Sequence, residues 1–187
     1  MPLTPPQSQE NSLNIVIDAF AEDFVRIESR KQWLSDIHMS YFASVANQVQ
    51  DKVLVVNSHA YGLWKNDIYA PFEEIRKRNY SYERVIFVNH DVDHWNIYSF
   101  DLKSHKFQLY CSLKRKVKQE AVLVYSNITN YLMSATLSFQ ETQINCLEQA
   151  DGYSCGYFAI FFIFELLFFN NLKIKRISLE TFVSNVT

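Results

Sequence analysis

The segment 156–169, GYFAIFFIFELLFF, constrains this chain more than any other, because it is apolar on every side of a helical wheel except at Glu165. A membrane-spanning helix needs about 20 consecutive apolar residues. This run is shorter and carries a charge, so no membrane span is expected. A helix without a polar face has to be wrapped by other structure. With 187 residues, 48% of them hydrophobic, the chain has enough apolar side chain for one such core and too little for two independent domains.

The rest of the chain supplies the wrapping. Residues 1–12 are rich in proline and polar side chains and read as a disordered lead, with one domain expected over 13–187. A helical stretch at 33–49 places Trp33, Ile37, Tyr41, Val45 and Gln48 on one mostly apolar face. Strands are expected at 52–57 (KVLVVN) and 84–89 (RVIFVN), with a charged helix at 72–79 between them. The runs 95–102 and 106–110 flank a short polar turn and predict an antiparallel hairpin. A helix over 114–134 and a short strand at 143–146 follow, and a loop at 148–154 leads into the apolar helix. The expected class is α+β, a central mixed sheet with a buried helix.

Eighteen basic side chains stand against 20 acidic ones, which removes the electrostatic footprint of a general nucleic-acid binder. A protein partner or small substrate fits better. The cysteines at 111, 146 and 155 form neither an even disulfide set nor a CxxC pair, so no metal site or cofactor is expected. The N-terminus has no basic flank before an apolar core, so a signal peptide is not expected, and cytoplasm or nucleus fits, including those of a host cell. Three glycines against 15 phenylalanines suggest an AT-rich genome.

Chemistry concentrates at Cys155. A thiol is nucleophilic only as thiolate, and Cys155 stands between a polar loop and the first turn of the apolar helix, where free backbone N–H groups favour negative charge. The same N–H groups could hold an oxyanion. The loop and nucleophile, Gln149-Ala150-Asp151-Gly152-Tyr153-Ser154-Cys155-Gly156, resemble the Gln-x-x-Gly-x-Asp-Cys-Gly signature of the SUMO-specific and related ubiquitin-like-modifier proteases. His94-Trp95, after a strand and polar turn, resembles that family's His-Trp pair, and Trp33-Leu34-Ser35-Asp36 its early Trp-Leu-Asn-Asp. Asn57-Ser58 with Tyr61 and Leu63 follows the family's strand-to-loop pattern. The motifs occur in the family's order from about residue 25 to 169.

The resemblance implies a papain-like, adenovirus-protease-like cysteine protease domain whose buried helix carries the nucleophile. It implies Cys155 as nucleophile, His94 as general base, and Gln149 as an oxyanion donor six residues before the cysteine. Trp33 and Trp95 would roof a tunnel that admits only a Gly-Gly tail, and Asp36 would contact the modifier. Implied partners are ubiquitin or a SUMO-type protein and its conjugates, with deubiquitination or deSUMOylation by isopeptide cleavage as the activity, in an effector or a cellular enzyme.

Two positions depart from the pattern. Seventeen residues after His94, where the family has the aspartate that orients the histidine, stands Cys111, and Ser154 replaces the aspartate before the nucleophile. Asp101 matches a structural aspartate at the hairpin start and is not a substitute. Three accounts of Cys111 stay open: a modifier-binding pseudoprotease, a slow enzyme in which Cys111 serves as third catalytic member, or replacement by Asp91 or Asp93. An acyltransferase of the same fold class is a further alternative, which Trp95 beside His94 disfavours.

Overall fold

The computed structural model describes residues 33–78, 81–142 and 144–169. The expected lead at 1–12 lies outside the described residues. Helix α1 (Asp36–Val49) is followed by strand β1 (Val53–Val56), helices α2 (Ala60–Lys65) and α3 (Ala70–Lys77), and strands β2 (Arg84–His90), β3 (Trp95–Asp101) and β4 (Lys106–Tyr110). Helix α4 (Gln119–Met133), strand β5 (Gln140–Glu141) and helix α5 (Cys155–Phe164) complete the described fold, with a π-helical turn, Glu165–Phe169, at the end of α5.

The five strands form one mixed sheet in the order β1-β2-β3-β4-β5. β1 runs parallel to β2, the β2–β3–β4 meander is antiparallel, and β5 joins β4 in parallel. Side chains alternate across a strand, so the sheet separates two cores. Val53, Val55, Ile86, Val88 and Ile97 face α1 and α5, while Leu54, Val56, Val85, Phe87, Tyr98 and Phe100 face Ala60, Phe72 and α4. Every residue of α5 is buried. The open edge of β1 is covered by α1, whose Asn47 side chain exchanges hydrogen bonds with both the N–H (2.7 Å) and the C=O (2.8 Å) of Val55.

The α+β class, the mixed sheet, the hairpin and the buried helix agree with the sequence reading. Several local expectations differ. The buried stripe of α1 is Met39, Phe42, Ala43 and Ala46, whereas Trp33, Ile37 and Tyr41 are exposed. Both stripes have helical spacing, but the small alanines let the helix approach β1 and α5 closely. The helix begins at Asp36, where the Ser35 N–H donates to His38 Nδ1 at 3.1 Å. A short helix, α2, lies where only a strand-to-loop passage was expected. Helix α4 starts at Gln119 instead of 114, because the basic side chains ahead of it are drawn to partners elsewhere: Lys114 to Glu148, Arg115 to the Asp91 carbonyl and Lys118 to the Asp91 carboxylate. No strand forms at 144–146; the short pairing occurs earlier, at Gln140–Glu141.

Candidate active site

Asp151 shapes the loop that presents Cys155, since its carboxylate accepts the N–H groups of Tyr153 (2.9 Å) and Ser154 (2.7 Å). The loop ends in α5, with the Phe158 N–H donating to Ser154 C=O at 3.1 Å. Gly156 has a steric reason. A Cβ there would lie 2.8 Å from Leu34 Cβ, closer than real contacts allow. Leu34 thus packs directly on the first turn of α5, and its carbonyl accepts the Trp95 indole N–H at 2.9 Å. This joins the Trp33-Leu34 segment to the start of β3.

Cys155 is buried, and the backbone N–H of Trp95 points to its sulfur, together with its own N–H and that of Gly156. Burial pushes the thiol pKa up, while these donors and the Arg115 charge pull against that rise. His94, one residue before Trp95, is also buried. Its Nε2 lies 3.2 Å from Cys111 Sγ, a sulfur that also accepts the Arg115 N–H at 3.3 Å. Burial and then Arg115 drive the imidazole pKa down to about 4, against the pull of Asp91. Cys111 therefore occupies the place where an orienting carboxylate would stand. Among the described residues, no hydrogen bond links the His94 and Cys155 side chains.

Gln149 is held in three directions. Its N–H donates to Ser112 C=O (3.1 Å), its Oε1 accepts from the Ser112 hydroxyl (2.5 Å), and its Nε2 donates to Asp151 C=O (2.8 Å). The amide thus ties the Cys155 loop to the segment after β4. Trp33 is half-exposed, at 50%, and Trp95 is buried with its ring 4.4 Å from the His90 ring centroid. Asp36 is exposed and accepts a 2.8 Å hydrogen bond from Ser58, which connects two of the motifs. Asp101 accepts the N–H groups of Lys103 and Ser104 and pairs with Arg84, a turn-building role away from His94. Sequence reasoning gave no role to Ser112, Arg115 or Lys118. For Arg115 and Lys118 the signal was the basic run 114–118, which helical periodicity disguised.

Among the described residues, no group of three or more His, Cys, Asp or Glu side chains is arranged to hold a metal ion, and no helix is long and apolar enough to cross a membrane.

A sequence model described as the Ulp1 protease family, C-terminal catalytic domain, matches residues 32–183. The chain belongs to the Ulp1 protease family. Among solved structures, it is similar to the SUMO protease Ulp1 with its catalytic cysteine oxidised to a sulfenic acid. That likeness has 14% identity and a TM-score of 0.69, and covers 98% of this chain and 94% of that one. It is also similar to the C-terminal Ulp1 protease domain in complex with Smt3, the yeast ortholog of SUMO, at 19% identity and a TM-score of 0.60, covering 72% and 66%. A third likeness is to the Chaetomium thermophilum Ulp1-like SUMO protease catalytic domain, at 12% identity and a TM-score of 0.55, covering 72% and 62%. No curated protein matches the chain. At these identities the structural likenesses carry the fold, and the family match makes the chain a cysteine protease domain of the group that acts on ubiquitin-like modifiers.

Proposed function

We propose that this domain hydrolyses the bond after the Gly-Gly terminus of a SUMO-type modifier, with Cys155 as nucleophile and His94 as base. The observation that carries the reading is the buried Cys155 at the first turn of α5, beneath the N–H of the residue that follows His94. Because His94 Nε2 is engaged with Cys111, Nδ1 is the nitrogen left for the Cys155 thiol. An Nε2–H donated to the Cys111 sulfur leaves Nδ1 as a lone-pair acceptor, the tautomer a base requires. Nδ1 takes the thiol proton as sulfur attacks the glycine carbonyl carbon. The oxyanion forms beside the N–H groups of Cys155 and Gly156, joined by the Gln149 amide if it turns from Asp151. The leaving amine receives the proton from His94, and water, activated by the same imidazole, releases the thioester. In this reading the half-exposed Trp33 and the buried Trp95 would flank the path of the tail, and the exposed Asp36 would meet the modifier.

A second reading has its own support. A raised thiol pKa and a lowered imidazole pKa both oppose a resting thiolate–imidazolium pair, which suits a modifier-binding pseudoprotease. A panel of ubiquitin, SUMO and other modifiers bearing C-terminal propargylamide separates the two. The protease reading expects a covalent adduct at Cys155 by intact mass, strongest with SUMO. Binding of a modifier without any adduct leaves only the binder. Cys111→Asp should raise turnover by more than ~10-fold, since a carboxylate orienting the imidazole is worth up to about 10⁴ in triads of this logic.

A further inference from the structure

The turn that delivers His94 is strained. Val92 and Asp93 adopt positive φ values of 41° and 58°, in the left-handed region that a β-branched residue seldom enters. Such a conformation persists only where the surroundings over-determine it. Here they converge on Asp91. Its N–H donates to the His94 C=O at 2.9 Å, its C=O accepts from Arg115 Nη1 at 3.2 Å, and its carboxylate pairs with Lys118 Nζ at 2.6 Å. The Asp91 side chain is mostly buried, at 16% exposure, while that of Lys118 is 59% exposed. Both cations belong to the extended segment after Cys111, which starts with the Lys114 N–H on Cys111 C=O at 3.1 Å and the Arg115 N–H on Cys111 Sγ at 3.3 Å.

The groups around His94 come from every neighbouring element. Cys111 follows β4, Arg115 lies in the segment ahead of α4, Cys155 opens α5, and His90 and Asp91 lie at the end of β2. Arg115 and His90 oppose a positive imidazole; Asp91 favours one. The position opposite Nε2 holds a thiol, which brings no fixed charge.

We propose that Asp91 is a positioning residue for His94, replacing in part the carboxylate that position 111 lacks. Pinned by Lys118 and Arg115, it holds the strained turn and places a negative charge near the imidazole. This rests on the reading of His94 as the base, and it assigns the basic segment 114–118 a task in the site: its cations set how much of the Asp91 charge His94 feels.

The test is a pair of charge-removing substitutions read at His94 itself. The imidazole is titrated by NMR in the full chain, its signals assigned by their loss in His94→Gln. Asp91→Asn removes the carboxylate charge and should lower the midpoint by ~0.5 pH unit or more. Lys118→Gln leaves that charge unneutralised and should raise the midpoint by a similar ~0.5 pH unit. Each substitution breaks the same ion pair, so a merely structural clamp would move both midpoints in one direction or neither, and that result overturns the proposal. Should Asp91→Asn fail to fold, Lys118→Gln decides alone, and an unmoved or lowered midpoint overturns it. Adduct formation with the reactive modifier is followed in parallel, with Asp91→Asn expected to slow it by ~3-fold or more. A wild-type chain that forms no adduct defeats the protease reading, whereas the titration still answers for Asp91.

Discussion

The two flanks of His94 are built by different means. On one side, the loop that carries Cys155 is shaped by contacts close in sequence, the Asp151 turn and the helix start at Ser154, and one distant contact, Gly156 against Leu34, seats it. On the other side, Cys111, Arg115 and Lys118 reach back to His94 and Asp91, 17 to 27 residues earlier in the chain. The Cys155 side works by burial and backbone N–H groups. On the imidazole side burial acts first, and charges on side chains then tune proton affinity from a distance. Position 111 can therefore lack a carboxylate while the frame around Cys155 stays intact.

This contrast can be broken or sharpened by experiment. The largest effect is expected for His94 and pH. Its folded pKa, about 4, lies below the ordinary imidazole value of 6.5, so between these pH values the unfolded chain binds the extra proton. Stability should then rise with pH across that window and flatten above it, by about 1–3 kcal/mol in all. Denaturant unfolding at a series of pH values, wild type against His94→Gln, measures it; an equal slope in the variant removes His94 as the cause.

An effect of similar size is expected on the other flank. Gly156→Ala forces Leu34 aside and should lower stability by about 1–3 kcal/mol, with slowed alkylation of Cys155 because the first turn of α5 shifts. A variant as stable as the wild type would show that Leu34 yields freely. The smallest effect is expected at the bridge between the flanks. Ser112→Ala removes the 2.5 Å hydrogen bond to Gln149 Oε1, a contact worth about 1 kcal/mol. Thermal unfolding should register that loss. If Gln149 serves the oxyanion, adduct formation should slow further than the stability loss explains.

Much of this site was legible along the chain, because its parts are local. The Gln149–Gly156 signature, the His94-Trp95 pair and the all-apolar helix each require only neighbours in sequence, and the two tryptophan motifs do meet through Leu34. Less was legible where two patterns fit one stretch. The stripe of Trp33, Ile37 and Tyr41 and that of Met39, Phe42, Ala43 and Ala46 share a helical period, and only packing against β1 and α5 chose the second. Likewise the run 114–118 has helical spacing, but ion pairs with Asp91 and Glu148 hold it out of the helix.

The sequence alone determined the class of fold, the motifs that single out Cys155 and His94, and the thiol at position 111. Local propensity, apolar periodicity and motif order act over a few residues and are written in the chain. Tertiary structure decided what surrounds the imidazole: Cys111 on Nε2, Arg115 against it and Asp91 beside it, with Lys118 restraining Asp91. The reason is physical. Proton affinity depends on burial and on charges brought together through space, and no spacing rule along a chain encodes which of them will meet.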